Sequence, residues 1–111
     1  MESWAKELNG AITVCDRDGT ILDLNDGAAR SFDDGSGKSL AGSNLFDCHG
    51  PESREKIRRL VQDEATNVYT IEKQGKKKLI YQAPWYEGGR FMGLVEVSLE
   101  IPFELPHFKR D

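Results

Sequence analysis

The sequence predicts an α+β fold: one five-stranded antiparallel sheet with helices packed across one face. Three observations predict it. An early and a late hairpin system flank a helical middle. The last strand segment alternates with a period of two, Phe91, Gly93, Val95, Val97 and Leu99 against Glu96, Ser98 and Glu100. The longest helical segment, after Pro51, carries one apolar stripe, Ile57, Leu60 and Val61, and so has one face to bury. A single sheet with the helices laid over it is the economical way to satisfy all three.

In chain order, Trp4 and Leu8 stand at i, i+4 and mark an amphipathic opening helix over residues 1–9, stopped by Asn9-Gly10. "AITVCD" alternates, and Asp18-Gly19 is a strong turn signal because glycine takes a positive φ without steric cost. "TILDL" returns, so residues 11–24 read as a hairpin. Asn25 can cap the next helix through its side-chain oxygen, and Asp26 suits the positive end of that helix. Ala28, Ala29 and Phe32 are its apolar side. "DDGSGKSLAGS" is a loop and "NLFDC" a single helical turn. Pro51 fits the first position of the long helix, where its missing N–H costs little. That helix should reach about Ala65, with Glu52–Lys56 and Glu55–Arg59 as favourable i, i+4 pairs. "NVYTIEK", "KKLIYQAPWYE" and "RFMGLVEVSLE" follow as strands, turned at Gln74-Gly75 and Gly88-Gly89. Pro84 calls for an edge position or a bulge. The organisation expected is thus helix 1–9, a domain over 10–101 and an extended tail over 102–111.

With 111 residues there is one domain and one core. Hydrophobic residues are 38% and charged residues 31%, the balance of a soluble globular chain. The formal net charge of -4 argues against nucleic-acid binding driven by charge. The basic run Lys76-Lys77-Lys78 reads as a solvated hairpin tip. No stretch approaches the roughly 18 apolar residues of a membrane span, and the opening lacks a signal-peptide pattern. Two distant cysteines imply no disulfide framework, and the cytoplasm is the expected location.

Three stretches carry a family resemblance. "AITVCDRDGTILDLNDGAARSF" is similar to the opening of a PAS domain: strand, Asp-x-x-Gly turn, a second strand ending near Asn, then a helix. "EGGRFMGLVEVSLEI" resembles the closing PAS strand, and "LFDCHGPESREKI" resembles a Cys-His-x-x-x-Ser variant of small bacterial single-PAS proteins. The resemblance covers about residues 8 to 101. It implies a sensory or signalling module that holds a small ligand or cofactor between sheet and helices, or pairs with a protein, with no catalysis of its own. If the chain is the whole protein, its output must act through a separate effector.

The resemblance implies particular cofactor chemistries, and the residues around Cys48 and His49 discriminate among them. Flavin-binding relatives carry Asn-Cys-Arg-Phe-Leu-Gln; around Cys48 the sequence is Phe46-Asp47-Cys48-His49-Gly50, so that chemistry does not fit. Haem-binding relatives use a histidine on the long helix, and residues 52–65 contain none. A haem or other cofactor held by His49 and Cys48 is the alternative, and a thiol redox role for Cys48 near a helix N-terminus is another. A metal site needs three or four converging ligands, which adjacent Cys48 and His49 do not supply. Adjacent residues also make a poor nucleophile–base pair. The cofactor is left unknown, and Cys48 reads first as a small buried hydrophobe.

Phe91, Val95 and Val97 are expected to face the helices, with Leu79, Tyr81, Ala83 and Trp85 beside them. The expected pocket lining is Phe32, Leu45, Cys48, His49, Ile57, Tyr69, Tyr81, Trp85 and Val95. A homodimer is expected through Trp4 and Leu8 of the opening helix and the outer sheet residues Ile80, Tyr86, Met92 and Leu94, which would otherwise form an exposed apolar patch.

Overall fold

The computed structural model describes residues 1–31 and 50–111. Its elements are α1 (Ser3–Lys6), β1 (Ala11–Asp16), β2 (Ile21–Leu24), α2 (Asp26–Ser31), α3 (Pro51–Asp63), β3 (Asn67–Lys73), β4 (Lys76–Glu87) and β5 (Arg90–Ile101). The five strands form one sheet in the order β2-β1-β5-β4-β3, and every neighbouring pair is antiparallel. The first and last strands in the chain order of the two hairpins, β1 and β5, close the sheet at its centre. The predicted fold class is the one found.

Turn chemistry accounts for the hairpins. Between β1 and β2 the Asp16 carboxylate accepts from the Asp18 and Thr20 backbone N–H groups, both at 2.9 Å. The β3–β4 turn puts Gln74 and Gly75 at φ 54° and 76°, and the β4–β5 turn puts Gly88 and Gly89 at 57° and 79°. Two consecutive positive φ values match the strand twist and make tight two-residue loops. Pro84 satisfies both readings of it. It lies past Gln82, where the β3 ladder ends, and just before a bulge between Trp85 and Tyr86.

Asn25 ties the early elements together. Its side-chain oxygen accepts from the Ile12 and Ala28 N–H groups at 2.9 Å each, capping α2. Its amide donates to the Ala5 and Gly10 carbonyls, both at 3.0 Å. The opening helix is shorter than expected, a single turn, and Ala5 rather than Trp4 is its buried residue. The Leu8 N–H returns to the Ala5 carbonyl and the Gly10 N–H to the Leu8 carbonyl, so the chain bends into β1 before a second turn can form.

Helix α3 starts as predicted, with Gly50 as N-cap and Pro51 at its first turn. It stops two residues short of Ala65. Glu64 takes a left-handed conformation (φ 48°, ψ 44°), and the Ala65 N–H turns back to the Leu60 carbonyl at 3.1 Å. Glu55 and Arg59 form the expected pair at 3.4 Å. Lys56 instead lies over the Tyr69 ring, 5.0 Å from its centroid. The core between α3 and the sheet holds Cys15, Ile57, Leu60 and Leu94, with Val61 and Ala65 packed against it. The loop and single turn expected before Gly50 lie outside the described residues.

Candidate functional site

Strand alternation and the core contacts fix which sheet face meets the helices. Cys15 and Leu94 pair across β1 and β5 and pack on Ile57 and Leu60, so they point toward α3. Counting in twos from them puts Thr13, Glu96, Ser98, Ile80, Gln82, Asn67 and Tyr69 on the same side. The Lys56–Tyr69 contact agrees from the helix side. The opposite face carries Val14, Val95, Val97, Leu99, Leu79, Tyr81 and Ala83.

The expected faces are therefore exchanged over most of the sheet. Val95 and Tyr81, expected in the pocket, lie on the outer face, and Tyr81 is 43% exposed. Trp85 leaves the pocket set too: its indole donates to the Cys15 carbonyl at 2.9 Å, reaching β1 from beside Gly93. Leu94 and Ile80, expected on the outer face, are buried on the helix side. Tyr86 stands on the helix side of the β4–β5 tip, near the Glu64 carboxylate at the end of α3, and its ring meets Phe91 at 6.1 Å. Met92 is the extra residue of the bulge. Ile57 and Tyr69 lie where the pocket was expected. Trp4 and Leu8 are both exposed, and Trp4 at 71% does not cover the sheet. Phe32, Leu45, Cys48 and His49 lie outside the described residues.

The helix-facing side holds a feature that sequence reasoning missed. Thr13, Glu96, Gln82 and Asn67 are successive register partners across β1, β5, β4 and β3. They form one polar rung crossing four strands. Asn67 donates its amide to Gln82 at 2.9 Å, and Gln82 donates its own to a Glu96 carboxylate oxygen at 2.8 Å. Thr13 and Gln82 are buried, at 4% and 6% exposure. Burying such groups costs free energy unless they are bonded, so a whole rung of them on the covered face is unusual for a core. Its flank toward α2 opens into a cleft of about 560 Å³ lined by Ala11, Arg30, Lys73, Lys78, Ser98 and Glu100 among others.

Burial pushes the Cys15 thiol up to about 11 from an ordinary 9.0, with the negative charges of Asp16 and Glu96 adding to the rise. Its Sγ–H donates to the Leu94 carbonyl at 3.4 Å. The protonated form is thus favoured by folding. Stability from this group is full below the unfolded thiol's pKa and is lost as pH rises through 9 to about 11. Urea unfolding across that range should show a downward slope that is shallower in Cys15→Ala; equal slopes in the two proteins would refute it. Burial, then Glu96, also raises the Tyr69 phenol, and burial, then Glu64, raises Tyr86. Among the described residues, no group of three His, Cys, Asp or Glu side chains is placed to hold a metal ion, and no helix is long and apolar enough to cross a membrane.

A five-stranded antiparallel sheet carries helices on one face and a polar rung on that same face. The family model described as PAS fold matches residues 6–101, and the chain belongs to that family. Solved structures agree in fold. A sensory box sensor histidine kinase from Vibrio cholerae superposes with TM-score 0.64 at 16% identity, over 87% of this chain and 86% of that one. The PAS domain of Bordetella pertussis BvgS gives 0.64 at 14% identity, over 88% and 81%. The Vibrio cholerae VqmA dimer, in the absence of target DNA, gives 0.67 at 14% identity, over 95% of this chain and 53% of that one. Comparison with curated proteins gave no match.

Proposed function

We propose that this chain is a cytoplasmic sensory or signalling module that receives a small ligand on the helix-facing side of its sheet and has no catalysis of its own. The observation that supports this best is the polar rung Thr13–Glu96–Gln82–Asn67, laid on the face where a filled core would be apolar. Tyr69 and Ile57 remain pocket candidates beside it. Phe32, Leu45, Cys48 and His49 remain candidates on the strength of the sequence. Native mass spectrometry and an absorption spectrum of the purified protein test the reading. A retained small molecule that is lost in Gln82→Leu supports it. A protein at its bare chain mass after incubation with a metabolite extract overturns it, and a visible absorption band would favour the haem alternative through His49.

The module works as a homodimer in this reading, through the outer sheet face. Tyr81, Val97 and Leu99 stand there beside Val95 and Leu79, an apolar surface across two long strands. Apolar patches of that kind on a folded domain mark interaction sites, and VqmA, similar in fold, is itself a dimer. Its DNA is not carried over, since this chain has a net charge of -4. Sedimentation should show a dimer that Tyr81→Glu and Val97→Glu each weaken at least tenfold; a monomer, or a dimer indifferent to both, removes the proposed interface.

A further inference from the structure

We infer that the ligand presents a cationic, hydrogen-bond-donating nitrogen, of the amine or amidinium class, to Glu96. This rests on the proposed ligand pocket and names what the pocket selects. The hydrogen bonds of the rung all run one way: Asn67 donates to Gln82, and Gln82 donates to Glu96. The chain of donors ends on a carboxylate, which can only accept. Gln82 takes one Glu96 oxygen, and among the described residues no cation pairs with the other. Glu96 is half-buried, on the helix-facing side of the sheet.

Across the β1–β5 ladder from Glu96 stands Thr13, a buried residue whose hydroxyl shares the rung with the carboxylate. A hydroxyl and a carboxylate side by side offer two acceptors to one nitrogen carrying two or more N–H groups. A planar amidinium matches the carboxylate with two parallel bonds, and charge makes those bonds the strong kind. An anionic ligand would instead meet Glu96 head-on. The cationic side chains Arg30, Lys73 and Lys78 line the neighbouring cleft, four residues along β4 from Gln82 in the case of Lys78, and so set the competing preference that a test must include.

Three probes of nearly one shape and different charge separate the possibilities: benzamidine, benzamide and benzoate. Each is titrated at fixed ionic strength into the full chain while the side-chain amide resonances of Gln82 and Asn67 are followed by NMR. Benzamidine is expected to move both and to bind about tenfold or more tighter than benzamide and benzoate. Glu96→Gln, which keeps an acceptor for Gln82, should reduce that preference to less than twofold, and Thr13→Val should weaken benzamidine severalfold. Equal binding of the three probes, tighter binding of benzoate, or a preference that survives Glu96→Gln overturns the inference and leaves the pocket standing. No movement of either amide with any probe overturns the pocket itself, and the inference with it.

Discussion

Replacing Asn25 by alanine should cost about 3–4 kcal/mol of folding stability, the largest loss expected from any single side chain here. Asn25 is 1% exposed and every polar atom of its amide is used. Alanine leaves the Ile12 and Ala28 N–H groups and the Ala5 and Gly10 carbonyls without this partner, two of the four bonds being fully buried. Each buried unsatisfied group costs about 1–3 kcal/mol, and the lost helix cap is part of that sum. Domains of this size have only about 5–15 kcal/mol in total, so the melting temperature should fall by roughly 15 °C or more. Asn25→Asp sharpens the test. It keeps the acceptor and turns the two donations into contacts between a carboxylate and two carbonyl oxygens. That raises the folded carboxyl above its unfolded pKa. The variant should be most stable relative to the parent at low pH and lose ground as pH rises through the raised value. Urea unfolding at several pH values reads both effects; a loss below about 1 kcal/mol in Asn25→Ala would refute the account.

The elements were legible because they rest on local chemistry. The Asp18-Gly19, Gln74-Gly75 and Gly88-Gly89 turns, the Asn25 cap and Pro51 at the start of α3 each depend on a few adjacent residues. The single antiparallel sheet followed from two hairpin systems flanking a helical middle. The faces were not legible, for one physical reason. Without the bulge, the turn at Gly88-Gly89 would pair Gln82 with Val95; the extra residue at Met92 moves that partner to Glu96. A one-residue shift exchanges the two faces of a strand, and nothing in a period of two shows where it falls. A period of two alone favours the apolar row Val95, Val97, Leu99 as the face toward the helices. The signal that could have exposed the error was Gly93, a glycine inside an otherwise regular strand, which often marks a bulge.

Gly93 is also where the second large effect should appear. Its φ is 154°, and a Cβ at that position would overlap the Cys15 carbonyl oxygen and the Asp16 backbone. Neither obstacle can readily move. The Cys15 carbonyl already accepts the Trp85 indole N–H at 2.9 Å, and the Cys15 side chain is in the core with Leu94 and Ile57. Gly93→Ala must therefore push β5 off β1 at the centre of the sheet, where overpacking costs about 1–3 kcal/mol and the loss of the indole bond about 1 kcal/mol more. Alanine recovers less than about 1 kcal/mol through a stiffer unfolded chain. A net loss of about 3 kcal/mol is expected from urea unfolding. In a Trp4→Phe background, which leaves Trp85 as the reporter, emission should shift to the red as the indole leaves the Cys15 carbonyl. The alternative escape, a slip of β5 by one residue, would turn Glu96 outward and carry Val95 or Val97 toward α3. The bulge at Met92 and the bare backbone of Gly93 thus set which face of β5 the helices see. A variant with unchanged emission and a loss under 1 kcal/mol would show that the register is held elsewhere.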